Sequence, residues 1–170
     1  MSAPRLKAGR VMAIEDAFNA ASNVFSMFGV FFDAVAKEIG KQKANSSLSE
    51  SLRNFGASAG KASREQMGIK ELDVKTTSSF IKTMYDGLGV SVTIQESLRK
   101  LVFRNGKCPV YMGLKNVGYR DEDIEDFCRK GPAVMMDALF KQLDPTVTYT
   151  FSKYRGSPDD VCEEEVVFKK

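Results

Sequence analysis

The chain contains no histidine. That absence excludes Ser-His-Asp and Cys-His nucleophile activation, histidine-ligated zinc and a haem held by a proximal histidine. Tryptophan is missing too, so the aromatic content rests on 12 Phe and 5 Tyr. Cysteine is scarce: Cys108, Cys128 and Cys162 stand apart in the text. An odd number at such wide spacing is no secreted disulfide framework and points to a reducing, cytoplasmic compartment. There is also little excess of charge, with 25 basic against 22 acidic residues. No Lys/Arg stripe with interleaved aromatics appears, so no nucleic-acid partner is expected. Long apolar runs are lacking as well. The stretch from Val24 to Ala36 is broken by Ser26, Gly29 and Asp33 and falls short of the roughly 20 residues of a membrane span. Arg5, Lys7 and Arg10 are not followed by the apolar segment of a secretory signal. Gly87-Leu88-Gly89 leaves a helix for a strand, the reverse of a phosphate-binding loop.

What is present reads as one α+β domain over residues 1–170, with 1–88 helical and 89–170 built as hairpin, helices, hairpin. At 43% hydrophobic and 28% charged, the chain has the composition of a globular protein with a core of its own. Ile14, Phe18, Ala21, Phe25, Phe28, Phe32, Val35 and Ile39 recur at spacings of four and three, the stripe of one long helix. Two readings stand for this stripe: the domain's own core, or the seam of a homodimer through the long N-terminal helix. A second helix is expected from the Ser47/Glu50 capping box to about Met67, stopped by Gly68, with Leu48, Leu52, Phe55, Ala59 and Ala62 as its face. Its small residues, Gly56, Ala57, Ala59, Gly60, Ala62 and Ser63, predict close approach of another backbone or a ligand. A third helix runs from an Asp73 cap to Asp86.

The period then falls to two. Val90, Val92 and Ile94 form a strand, and Leu101 to Phe103 form its partner before the Asn105-Gly106 turn. Pro109 opens a short helix closed by Gly118, and Asp121 caps the next. Gly131-Pro132 must kink or split that helix. Val147, Tyr149 and Phe151 alternate in a half-buried strand, a turn spans Arg155 to Asp160, and Val161 to Lys169 returns. In that last strand the run Glu163-Glu164-Glu165 must turn at least one carboxylate inward. The sheet is therefore expected to be antiparallel and four-stranded, two hairpins flanking a helical pair.

The cysteines carry the candidate chemistry. Cys108 precedes a helix and neighbours Lys107, a setting that favours a thiolate. If Cys108, Cys128 and Cys162 converge with Asp160 or Glu164, they have the donor types of a tetrahedral zinc or iron centre, although no ligand pair shows metal-site spacing. Plain core cysteines are the alternative. Arg155, Gly156, Asp159 and Asp160 make a charged tight loop, read either as a polar ligand clamp or as a solvated turn.

The segments Cys108-Pro109-Val110-Tyr111, Phe127-Cys128, Leu143-Asp144-Pro145 and Arg155-Gly156-Ser157-Pro158-Asp159-Asp160-Val161-Cys162 resemble members of the L-2-amino-thiazoline-4-carboxylic acid hydrolase-like family. They also resemble the broader 4-vinyl reductase type of domain. The order of elements is similar to the ligand-binding fold shared by nitric-oxide sensors and vesicle-tethering subunits. The resemblance implies a pocket between sheet and helices for a small or apolar molecule, with Cys108, Tyr111, Cys128, Arg155, Asp160 and Cys162 as ligand-binding candidates. It also implies an enzymatic alternative: a hydrolase of a small cyclic amide or thiazoline, with Cys108 or Cys162 as nucleophile and Asp160 or Glu164 as acid and base. A third reading is a non-catalytic dimerisation or partner-binding protein. The chain departs from the 4-vinyl reductase pattern at Lys153 and Tyr154, where another cysteine is usual, and the sensors' haem role does not carry over without a histidine.

Overall fold

The computed structural model describes residues 14–69 and 71–169, so Arg5, Lys7 and Arg10 lie outside the described residues. Along the chain come α1 (Ile14–Ile39), α2 (Lys41–Met67), α3 (Val74–Gly87), β1 (Val92–Glu96), β2 (Lys100–Asn105), α4 (Pro109–Asn116), α5 (Asp121–Lys130), α6 (Pro132–Leu143), β3 (Thr148–Lys153) and β4 (Cys162–Val167). The fold is α+β. Two antiparallel hairpins join through β2 and β4 into one sheet ordered β1-β2-β4-β3. Helices cover one face of this sheet, and no described helix is long and apolar enough to cross a membrane. Three helices rather than a pair separate the hairpins, because Pro132 in the first turn of α6 ends α5 at Lys130.

The register sets the inner face. Leu101 pairs with Val166, Phe103 with Glu164 and Asn105 with Cys162, and all six are buried. On the opposite face Lys100 and Arg104 form ion pairs with Glu165 and Glu163, each at 2.6 Å. A sheet packed on one side and solvated on the other requires this alternation. Its inner face joins Ile81, Met136, Leu139, Phe140 and Leu143 in one apolar cluster. A second cluster gathers Phe32, Leu48, Tyr111, Leu114, Ile124, Phe127 and Cys128, with Cys108 and Tyr154 packed against it.

The Phe stripe of α1 proves to be internal. Phe28 and Phe32 meet Phe127 edge to face with centroids 5.8 and 5.7 Å apart, so this stripe is core and not a dimer seam. Only its ends, Ile14 and Ile39, are exposed.

The second helix starts at Lys41, well before Ser47. Gly40 adopts φ 87°, breaks α1 in a single residue, and its carbonyl accepts from Ala44 N to open the next helix. Burial of Ala44 and Leu48 extends the helix past the Ser47 capping signal. Phe55 points outward, because Gly56 and Gly60 instead turn to α6. A Cβ on Gly60 would stand 2.5 Å from Leu139 O, and one on Gly56 would collide with Met135 O. The small-residue face thus serves helix packing. Asp73 caps α3 as expected, accepting from Thr76 N at 2.6 Å, and left-handed Gly68 stops α2. Asp121, however, is the first residue of α5 rather than its cap; its carboxylate is engaged by Tyr111 and Lys115.

Candidate functional site

The end of the second hairpin creates the polar centre of the molecule. Strict alternation from Tyr149 and Phe151 would turn Lys153 inward. A register shift between Phe151 and Lys153 inserts an extra residue, so Lys153 faces solvent and Tyr154 and Arg155 turn beneath the sheet. Arg155 is 1% exposed. Its Nη1 donates to Gly106 O at 2.6 Å, and its Nη2 donates to Asn105 O and Oδ1, both at 3.0 Å. Nε donates to Cys162 Sγ at 3.4 Å, and the guanidinium stacks over the Tyr111 ring, 5.2 Å from its centroid. Among the described residues, no carboxylate lies within ion-pair distance of this buried cation.

The nearest link to an acid runs through Asn105. Its Nδ2 donates to Glu164 Oε1 at 3.2 Å while its Oδ1 accepts from Arg155. Glu164, the inward carboxylate that the acidic run required, also accepts from Tyr85 Oη at 2.9 Å and Tyr149 Oη at 2.5 Å. Burial raises the Glu164 carboxyl above its usual range although all three donors pull it down. Tyr85 and Tyr149 are pushed well up, first by burial and then by Glu164. The sequence reading did not find Tyr85, Asn105, Tyr149 or Tyr154. The alternation that placed Tyr149 on the inner face beside Glu164 was the available signal for one of them; Asn105 was read as a turn residue.

Cys108, Cys128 and Tyr154 pack in the second apolar cluster, and Cys162 is linked to it through Arg155, which stacks on Tyr111. The Tyr154 hydroxyl is pushed up first by burial and then by Cys128, Cys162 and Cys108 in turn, and it is buried without a hydrogen-bond partner. Cys108 stands at the N-terminus of α4, where Tyr111 and Val110 N–H groups favour its thiolate, as does Arg155. Burial outweighs all three and pushes its thiol up to about 11. Cys128 is likewise pushed well up by burial, then by Cys108 and Cys162. The expected low-pKa thiol at Cys108 is therefore replaced by a protonated one. Cys108 and Tyr154 are each partly exposed, whereas the Tyr154 hydroxyl itself is buried.

Tyr111 and Arg155 thus join the thiols, but Asp160 does not. Its carboxylate accepts from Lys153 Nζ at 2.6 Å, Val161 N at 2.7 Å and Gly156 N at 3.0 Å, which closes the hairpin turn. Lys153 first, then these amides, hold it well below the usual carboxylate range. Nor does the metal reading find a geometry. Among the described residues no three Cys, Asp or Glu side chains are grouped to hold a metal ion, Glu164 is committed to three donors, and a guanidinium already faces Cys162. Two surface hollows lie on the helical side: one of about 220 Å³ between Phe32, Asp33, Tyr119, Asp123 and Phe127, and an open groove along Gln42, Ser49 and Arg53. Neither is lined by Cys108, Cys128 or Cys162. No model of a known protein family matches the chain, and no curated protein matches it.

Proposed function

We propose that the chain is a small-molecule-binding or sensory domain of the kind it resembles, 4-vinyl reductase-like, and that its ligand is received at the centre formed by Cys108, Cys128, Tyr154, Arg155 and Cys162. The observation that carries this reading is the Tyr154 hydroxyl, buried without a partner among thiols. An orphaned buried hydroxyl costs about 1–3 kcal/mol; Ser22 and Thr77 carry two more, and Tyr154 differs from them in its polarisable thiol neighbours. Arg155 adds a second motive, a buried cation whose acceptors are carbonyls and a thiol rather than a carboxylate. A ligand entering beside Cys108 and Tyr154 would accept from the phenol.

A hydrolase is the second reading, and one contact favours it: among the described residues, Cys162 alone of the cysteines has a cationic donor on its sulfur. The raised thiols of Cys108 and Cys128 count against either as nucleophile. A thermal-shift screen of small apolar and weakly acidic compounds tests the binding reading. A compound at 100 times its dissociation constant adds about 2.7 kcal/mol of stability, and that gain should be smaller in Tyr154→Phe by about 1 kcal/mol, the worth of one hydrogen bond. A screen in which no compound raises the melting temperature, or in which Tyr154→Phe responds like the wild type, would refute it.

A further inference from the structure

On the side away from its Phe stripe, α1 carries a second apolar face. Val24, Met27, Val30 and Phe31 are 56%, 70%, 58% and 63% exposed. The sequence along this face is nearly symmetric about Met27. Val24 and Val30 lie three residues to either side, Ala20 and Ala34 seven, and Asp16 and Glu38 eleven. Those spacings all return to one side of an α-helix. Between the two acids the only charge bordering the face is Lys37, at its edge.

We propose that this face is the interface with a second copy of the chain, two α1 helices crossing antiparallel about a two-fold axis at Met27. A two-fold interface must be complementary to itself. A stripe that reads alike in both directions meets that condition: Met27 falls on its own counterpart, Val24 on the second copy's Val30, and Ala20 on its Ala34. Phe31 lies over the second copy's Asn23.

Area and charge agree with this occupant. The four apolar side chains expose about 450 Å², the size of patch that marks an interaction site. A standard interface takes about 800 Å² from each copy, a little over half of it apolar, so these side chains supply the apolar share and Asn19, Asn23 and Lys37 the polar rim. In helices lying side by side, Asp16 would confront the second copy's Glu38. A crossing near −50° spreads the helix ends and separates the like charges, so the pair crosses ridge into groove rather than coiling. The inference stands apart from the ligand reading, because the inner stripe and the thiol centre lie on the other side of α1.

Sedimentation equilibrium of the full chain tests it. The wild type should associate to a dimer as concentration rises, and Met27→Glu, which sets two carboxylates on the axis, should weaken association by at least about a hundredfold. Leu98→Glu, at a position 98% exposed in the β1–β2 turn, should leave it unchanged. Met27→Cys should give a disulfide-linked dimer under mild oxidation, whereas Ile14→Cys, 72% exposed beyond the stripe, should not. A wild type that stays monomeric at every concentration overturns the proposal. So does a dimer that Met27→Glu leaves intact.

Discussion

Asn105 and Glu164 share a hydrogen bond of 3.2 Å inside the sheet's inner face, and through it a buried carboxylate is joined to the buried Arg155 guanidinium that the same carboxamide accepts from. The amide stands between two opposite charges as a neutral bridge with both ends used. Replacing it by Ala strands a donor group on Arg155 and removes one of three hydrogen bonds to Glu164. Asn105→Ala should therefore cost about 2–4 kcal/mol in urea unfolding. A loss below about 0.5 kcal/mol, the scale of an ordinary surface change, would show that the bridge carries no stability.

The same network makes stability depend on pH. Burial raises Glu164 in the folded protein, so the folded state holds its proton more tightly than the unfolded chain, whose carboxyl titrates near pH 4.3. Its contribution is fully present below that value and is lost as pH rises through the raised folded pKa. Glu164→Gln has no proton to lose, and its amide can donate to Tyr149 Oη. Unfolding free energies should therefore shift in favour of Glu164→Gln as pH is raised from about 4 to 8. The depressed groups Asp73, Asp123 and Asp160 act in the opposite sense, are common to both proteins, and cancel in the difference. Parallel pH curves would contradict the raised carboxyl.

At the α2–α6 contact, Gly60→Ala drives a methyl to 2.5 Å from Leu139 O. The expected loss is about 1 kcal/mol, since overpacking of roughly 1–3 kcal/mol is offset by the roughly 1 kcal/mol that Ala gains in helix propensity. Gly87→Ala, where an added Cβ meets nothing within 4 Å, should be neutral or mildly stabilising. Equal effects at the two sites would mean the helices are not in close contact.

The thiols offer a kinetic check. With its thiol at about 11, Cys108 carries a few hundredfold less thiolate at neutral pH than an ordinary cysteine. Alkylation at Cys108 and Cys128 should therefore be at least about a hundredfold slower than in the denatured chain. Mass-mapped labelling that finds Cys108 as reactive folded as unfolded would restore it as a candidate nucleophile.

Signals written in neighbouring residues were legible in the sequence. The apolar stripe of α1 and its end at Ile39, the Asp73 cap, the Gly68 stop, Pro109 opening α4, the split at Gly131-Pro132, both hairpins and the inward Glu164 all follow from local periodicity or backbone chemistry. What the text did not disclose depends on register and on distant elements. The start of α2 was misplaced because burial of Ala44 overrides a good capping box at Ser47. The site was legible in its cysteines, Tyr111 and Arg155, but not in Tyr154, which reaches the centre only because a bulge in β3 shifts the alternation by one. Asn105 and Tyr85 entered it through cross-strand pairing and helix packing that no spacing announces.

Native mass spectrometry of the freshly purified full-length chain, followed by organic extraction, tests the ligand reading most directly. The account predicts a small organic molecule bound one per chain to the wild type and reduced or missing in Tyr154→Phe. A wild type with nothing bound, in a protein that the compound screen also leaves unmoved, would contradict it.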